Sequence, residues 1–301
     1  MTARPAVEVP RELYEAQVEF NGEAGRAFVT ALPGRAAAFL DRWGLRPDGP
    51  PMHGMCALVL PVTRAADGAR AVLKLQLRDE ETAGEAAALR AWDGQGAVRL
   101  LAEDPVTGTM LLERLDEGRH LSALADPDEA ARILAELLAR LTARPAPAGL
   151  RRLGDVTAGM LDGVPEAEAE LADAGERALL RDCAAAVAEV AGEPGDRLLH
   201  WDLHYDNVLA GGREPWLAID PKPLSGDPGF ELLPALVNRW DPAAVRRRFD
   251  LMTEVLGLDR ERARAWTLGR VLQNLLWEVE DGESCLPDRQ VRVAEVLLGR
   301  G

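Results

Sequence analysis

The chain has 301 residues, 47% apolar and 28% charged, enough to bury one large core or two modest ones, which excludes a disulfide-held miniprotein and a disordered tail. Thirty-five basic residues against fifty acidic ones leave a net charge of −15, which argues against nucleic acid as a partner and favours attraction of small cations.

The acidity is uneven, −3 over residues 1–112 and −12 over residues 113–301. Met1–Pro10 has no apolar core of signal-peptide length, and no apolar run reaches the ~20 residues of a membrane span. The expectation is a soluble cytoplasmic protein with no membrane partner. Cys56, Cys183 and Cys285 lie far apart without CxxC spacing, so they read as buried small hydrophobes rather than a disulfide or zinc framework. Only two lysines, Lys74 and Lys222, stand among 33 arginines. Lysine kept where arginine is the rule can mark chemistry that a planar guanidinium does not reproduce.

In chain order, a helix is expected over Gly34–Arg42, with residues 1–30 packing on a sheet or on another chain. Residues 57–63 and 69–77 are β-prone runs separated by Asp67-Gly68, a hairpin signal. A helix over Asp79–Trp92 follows, opened by acidic residues that suit its positive end. Ala97–Leu101 and Thr109–Glu113 read as two further strands around the turn Asp104–Gly108. Beyond Leu115 the periodicity is helical over 128–141, 166–171, 176–190, 242–256, 259–280 and 288–298. One region interrupts it, with short buried strands at 197–199, 208–209 and 216–220 around a polar loop.

That loop reads His200-Trp-Asp202-Leu-His204-Tyr-Asp206-Asn207, followed downstream by Ile219-Asp220-Pro-Lys222-Pro. Phosphoryl transfer needs a carboxylate beside the acceptor hydroxyl and oxygen ligands that hold Mg²⁺ on the nucleotide phosphates. Asp202 can take the hydroxyl proton, and Asn207 with Asp220 can bind the metal. The same chemistry asks for a cation on the α/β-phosphates steadied by a helix carboxylate, which Lys74 and Glu85 can supply. GxxxxGK[ST] is absent, so a P-loop is excluded. Phosphate cover is then expected from residues 49–56, with Gly54 as the flexible contact. A second use of the loop is open: His200, Asp202, His204 and Asp220 could hold the metal of a hydrolase.

With these residues on view, the chain resembles the aminoglycoside phosphotransferases, a branch of the protein-kinase-like fold, over roughly residues 45–300. The motif His200–Asn207 with Ile219-Asp220 carries the resemblance. Trp201, the run Asp220–Leu232 and Glu85–Leu101 are similar to the streptomycin 6-kinase and hydroxyurea kinase group. The resemblance implies an α+β, two-lobed fold. Residues 1–112 would form a small antiparallel β-sheet lobe with one helix on the phosphate side, 113–116 a hinge, and 117–301 a mainly helical lobe with catalytic loop and acceptor site.

It further implies ATP and Mg²⁺ as cofactors, with Asp202 as catalytic base, Asn207 and Asp220 on the metal, and Lys74 with Glu85 on phosphate. Backbone groups at Glu113 and Leu115 would receive adenine, with His204 and Lys222 near the phosphates. The acceptor would be a small cationic aminoglycoside, streptomycin first, phosphorylated on a hydroxyl to confer antibiotic resistance, by a monomer or homodimer. Carboxylates and aromatic faces suit such a cation, and the candidates are Asp227, Glu231, Glu278 and Asp281, with Asp241, Trp277 and Glu280 behind them. The alternatives are another small-molecule acceptor (hydroxyurea, a peptide antibiotic, a sugar or an amino alcohol) and a catalytically silent nucleotide-binding pseudokinase.

Overall fold

A computed structural model describes residues 7–283 and 285–300. The chain divides into two units, residues 1–94 with 98–115, and residues 95–97 with 116–301. The part of the N-terminal segment before Val7 lies outside the described residues.

The first unit is built on an antiparallel sheet. Its strands are β1 (Leu45–Pro47), β2 (Met52–His53), β3 (Ala57–Arg64), β4 (Arg70–Gln76), β5 (Leu100–Asp104) and β6 (Thr109–Glu113), in the order β1-β3-β4-β6-β5 with β2 on β3. The Asp67-Gly68 hairpin forms as the sequence predicts: Gly68 takes φ +72° and Asp67 accepts the Ala69 amide at 3.1 Å. Alternation along β4 sorts its side chains. Ala71, Leu73 and Leu75 join the apolar core with α1 (Arg11–Arg42), while Lys74 and Gln76 point the other way, to Glu85.

Helix α1 is longer than the expected 34–42. Its apolar residues Leu13, Phe28, Val29, Leu32, Ala36, Phe39 and Leu40 are buried against the sheet. It breaks at Gly22, φ +54°, a conformation that glycine adopts without strain. A Cβ on Gly25 would lie 1.8 Å from the Gln17 carbonyl oxygen, so only glycine fits where the two helical halves meet.

Two expected boundaries move for local reasons. Helix α2 spans Glu85–Trp92 and not Asp79–Trp92, because Asp79 Oδ1 accepts the amides of Glu81 and Thr82 at 2.9 and 2.8 Å and closes a turn that competes with helix. Strand β5 starts three residues later than expected. Asp104 ties the turn to β6 by accepting the amides of Val106 and Thr107, and register is counted back from there.

The second unit is mainly helical: α3 (Pro127–Thr142), α4 (Leu153–Glu170), α5 (Ala174–Ala188), α6 (Leu233–Val237), α7 (Val245–Leu256), α8 (Arg260–Glu280) and α9 (Asp288–Leu297). Two three-stranded sheets frame the polar loop. One has β7 (Asp116–His120), β10 (Val208–Ala210) and β11 (Trp216–Ala218) in the order β11-β10-β7; the other has β8 (Arg151–Arg152), β9 (Arg197–Leu199) and β12 (Leu224–Gly226) in the order β8-β12-β9. Helix α4 reaches well before the expected 166–171. Its glycines and Pro165 mask a face, Leu153, Thr157, Met160, Val164 and Ala167, that is buried with α8 among the helix's neighbours.

Cys183 is buried, which pushes its thiol up to about 12, but Cys56 is half-buried and Cys285 exposed, so the expectation of three buried cysteines holds for Cys183 alone. No helix among the described residues is long and apolar enough to cross a membrane.

Candidate active site

In the first unit, Lys74 Nζ donates to Glu85 Oε1 at 2.7 Å and to Oε2 at 2.8 Å, with side-chain exposures of only 6% and 1%. Gln76 Nε2 adds a third hydrogen bond, to Glu85 Oε2 at 2.8 Å. The pair exists because Lys74 lies on the central strand β4 and Glu85 opens α2. A lysine this enclosed needs such a partner, since an unpaired charge there would be costly. Gly54 is exposed at the tip between β2 and β3, where its amide bonds the Ala57 carbonyl at 3.1 Å. The neighbouring Met55 carbonyl accepts from the buried Gln17 Nε2 at 3.0 Å, so α1 braces this loop. Glu113 ends β6, its carboxylate accepting the Arg99 amide at 3.1 Å, and Leu115 is buried.

In the second unit, β9 delivers the chain to His200. Burial pulls the His200 imidazole down to about 3, so it is neutral, and Nε2 donates to the Ile219 carbonyl at 3.0 Å. Two backbone bonds draw the strands of the loop together: Lys222 N–H to His200 O at 3.0 Å and Ile219 N–H to Asn207 O at 2.9 Å. Asn207 Nδ2 donates to the Asp202 carbonyl at 2.9 Å, which leaves Oδ1 as the atom it can offer a cation. Asp220 is exposed in a left-handed conformation, φ +58°. Asn207 and Asp220 therefore present two hard oxygen donors, the kind of partial set Mg²⁺ takes when phosphates and water complete its shell.

Burial raises the Asp202 carboxyl, and the like charge of Asp220 adds to this, while Lys222, His204 and Arg270 oppose it. Lys222 Nζ stands 3.9 Å from Asp202 Oδ2. His204 caps the turn Tyr205–Asn207, its Nδ1 accepting the Asp206 amide at 3.3 Å. Among the described residues no group of three or more His, Cys, Asp or Glu side chains is placed to hold a metal. His200 Nε2 is committed to Ile219, so the hydrolase alternative has no donor set there.

Trp201 sits at φ +69°, unusual for a bulky residue. Glu231, 0% exposed, holds it there: Oε1 accepts the Trp201 amide at 2.7 Å and Oε2 the His200 amide at 3.2 Å. Arg151 and Arg270 stand over the Trp201 indole at 4.4 and 4.8 Å from the ring centroid. Burial lifts the Glu231 carboxyl to about 7 despite those amides and Arg270. The residue before Asp202 is thus locked by a carboxylate from the turn Pro228–Glu231 and by two cations.

The sequence model of the aminoglycoside/hydroxyurea antibiotic resistance kinase family matches residues 42–282. The chain belongs to this family. It is 71% identical to a hydroxyurea phosphotransferase of Kitasatospora aureofaciens, covering 98% of this chain and 87% of the relative. It is 56% identical to a streptomycin 6-kinase of Streptomyces glaucescens, over 99% of this chain and 100% of the relative. Among solved structures, an aminoglycoside phosphotransferase in ternary complex with ADP and hygromycin B superposes with a TM-score of 0.60 at 16% identity, covering 88% of this chain and 98% of that one. A choline/ethanolamine kinase family protein from Mesorhizobium loti gives 0.58 at 20%, covering 89% and 92%. The fold is kinase-like, α+β, as expected.

Two of the carboxylates expected to meet an acceptor are engaged within the chain instead. A cavity of about 620 Å³ adjoins Asp202, lined also by His204, Asn238, Arg270, Asn274 and Gln290 among others. Glu231 is enclosed and bonded to loop amides, so it does not face a ligand. Asp227 is buried too, accepting Gly229 N–H at 2.8 Å and Arg262 Nε at 2.7 Å, and serves as cap and ion pair. Glu278 and Asp281 do not line the cavity. Trp277 and Glu280 line a separate one of about 600 Å³ between α4 and α8. Sequence reasoning missed Gln76, two residues from Lys74 on the same strand face, and the α8 pair Arg270 and Asn274 beside Asp202, whose four-residue spacing was the available signal.

Proposed function

We propose that this kinase transfers the γ-phosphoryl group of ATP to a hydroxyl of a small acceptor, streptomycin first, with Mg²⁺. The observation that carries the reading is Asp202: a carboxyl raised by burial, on a loop pinned by Glu231, at the wall of a cavity. A base with a raised pKa accepts a proton more readily in the transition state. The acceptor hydroxyl donates to Asp202, its oxygen bonds the γ-phosphorus, the bond to the bridging oxygen of ADP breaks, and the proton passes to Asp202.

Lys74, aligned by Glu85, holds the α/β-phosphates, with His204 and Lys222 as further phosphate contacts and the backbone at Glu113 and Leu115 receiving adenine. Asn207 Oδ1 and Asp220 would ligate Mg²⁺, which neutralises charge on the phosphate oxygens. A phosphate adds about −1.5 to −2 of charge to the acceptor, which opposes binding of a cationic drug to an anionic target.

The second reading is hydroxyurea as acceptor, favoured by the relative of that name at 71% identity. ADP release with Mg·ATP and either acceptor, with Asp202→Asn in parallel, tests both. Acceptor-dependent turnover abolished in the variant supports the reading, and turnover retained by the variant removes Asp202 as base.

A further inference from the structure

Gln17 is 0% exposed on the first half of α1, and its amide is engaged at both ends. Nε2 donates to the Met55 carbonyl at 3.0 Å, and Oε1 accepts from Asn21 Nδ2 at 3.4 Å. The break at Gly22 sets Gln17 in this position. Residues eight apart in an unbroken helix are separated by about 12 Å. A Cβ on Gly25 would nevertheless stand 1.8 Å from the Gln17 carbonyl oxygen, so the first half of α1 folds back on the second. All but the last residue of α1 precedes the family match, so that match gives the helix no role.

Met55 belongs to the turn that joins β2 to β3. The register Ala57 to Gln76 and Val59 to Lys74 puts this turn just beyond the end of the sheet where Lys74 meets Glu85. Helix α1 packs on the opposite face, with Leu73 and Leu75, and so holds the turn from the side away from Lys74. Protein kinases cover the nucleotide phosphates with a glycine-rich loop. Here the tip has Gly54 alone, and the Met55 side chain is 60% exposed while its carbonyl meets a buried donor. A turn with so little apolar burial has little to order it, and the bond from Gln17 supplies that order.

We propose that Gln17 is a positioning residue for the nucleotide: by holding the Met55 carbonyl it keeps the turn Gly54–Cys56 in the place from which it covers the phosphates. Helix α1 thereby serves the ATP site without touching ATP. This rests on the reading of residues 49–56 as phosphate cover and adds the residue that fixes them.

The test is calorimetric binding of Mg·ATP and of adenosine, which lacks the phosphates, to the full chain and four variants, with melting temperature and kcat alongside. Gln17→Leu removes the donor, and Gln17→Asn keeps an amide one methylene too short to reach Met55. Gly54→Val probes the turn itself, since a Cβ there meets nothing within 4 Å. Leu32→Ala removes a buried side chain from the second half of α1 and controls for loss of stability. Each Gln17 variant is expected to weaken Mg·ATP about tenfold, the loss of one hydrogen bond, with adenosine affinity and kcat within about twofold of wild type, the pattern of lost binding without lost chemistry. Gly54→Val should weaken Mg·ATP and spare adenosine. Leu32→Ala should lower the melting temperature and leave both affinities unchanged.

Wild-type Mg·ATP affinity in both Gln17 variants, with Gly54→Val impaired, would overturn the proposal and leave the turn as phosphate cover. Equal weakening of Mg·ATP and adenosine would overturn it as well, since it would mark a general loosening of the sheet. Wild-type affinity in Gly54→Val and both Gln17 variants would remove the cover reading and the proposal with it.

Discussion

Replacing Lys74 by Met removes the partner of a carboxylate that is 1% exposed, and the cost can be bounded from the structure. Glu85 then keeps the Gln76 Nε2 donor at 2.8 Å but loses its countercharge. It can stay charged, which for a broken buried pair costs about 3–5 kcal/mol. Alternatively it can take a proton from water, which at an ordinary Glu pKa of about 4.3 costs about 4 kcal/mol at pH 7 and only about 1 kcal/mol at pH 5. The lower route governs, so the Tm deficit of Lys74→Met should shrink as pH falls. At about 2–3 °C per kcal/mol it amounts to roughly 8–12 °C at pH 7 and 2–3 °C at pH 5. Lys74→Met/Glu85→Gln carries no buried charge and keeps an acceptor for Gln76, so it should recover most of the lost stability. Its turnover should remain lost, because the phosphate cation is gone. Scanning calorimetry at the two pH values and ADP release at saturating acceptor measure the two effects. A deficit independent of pH, or a double variant with wild-type KM for ATP, refutes the reasoning.

Asp202→Asn should lower kcat by about 10²–10⁴ with the melting temperature little changed, the range for losing a general base; ADP release and calorimetry read it. Glu231 and His200 should give opposing pH slopes in stability. Glu231, raised from 4.5 to about 7, contributes stability that is full below pH 4.5 and is lost as pH rises through 7. His200, lowered from 6.5 to about 3, contributes stability present above pH 6.5 and lost as pH falls through 3. Between pH 4.5 and 6.5 the two slopes cancel, so Glu231→Gln should unmask a rise of about 1.4 kcal/mol per pH unit relative to wild type, measurable by urea unfolding. An identical pH profile for the two proteins would remove Glu231 as the titrating group. Trp201→Gly relieves the backbone at φ +69° but removes a buried indole and two cation contacts; the net loss should be at least about 3 kcal/mol by the same unfolding assay.

What could be read from the sequence follows the range of the contacts. The β3–β4 hairpin and the Lys74–Glu85 pair were legible because they depend on neighbours within a strand, turn and helix. The loop His200–Asn207 was legible because its polar groups are adjacent in the chain. Helix α2 was placed six residues too early because acidic residues suit both a helix start and the Asp79 turn, and the turn's side-chain bonds win. Helix α4 was cut short because its glycines and Pro165 oppose helix locally while burial of one face favours it.

Two of the expected acceptor carboxylates, Glu231 and Asp227, are bonded within the chain for a different reason, which bears on how charge is used in this fold. Reasoning from a cationic ligand selects acids, yet an acid's distant partners are invisible in sequence. Glu231 lies 30 residues beyond Trp201 and fastens its amide; Asp227 is tied to Arg262. A buried carboxylate that accepts two backbone amides fixes a loop with little freedom, whereas one facing the acceptor would have to remain desolvated whenever the cavity held a neutral ligand. Charge therefore holds the loop that carries Asp202, and Arg239, Arg270 and Arg289 line the space beside it. Acidic residues, conspicuous in a chain of net charge −15, are for that reason used in part to fasten the chain, as Glu231 and Asp227 do.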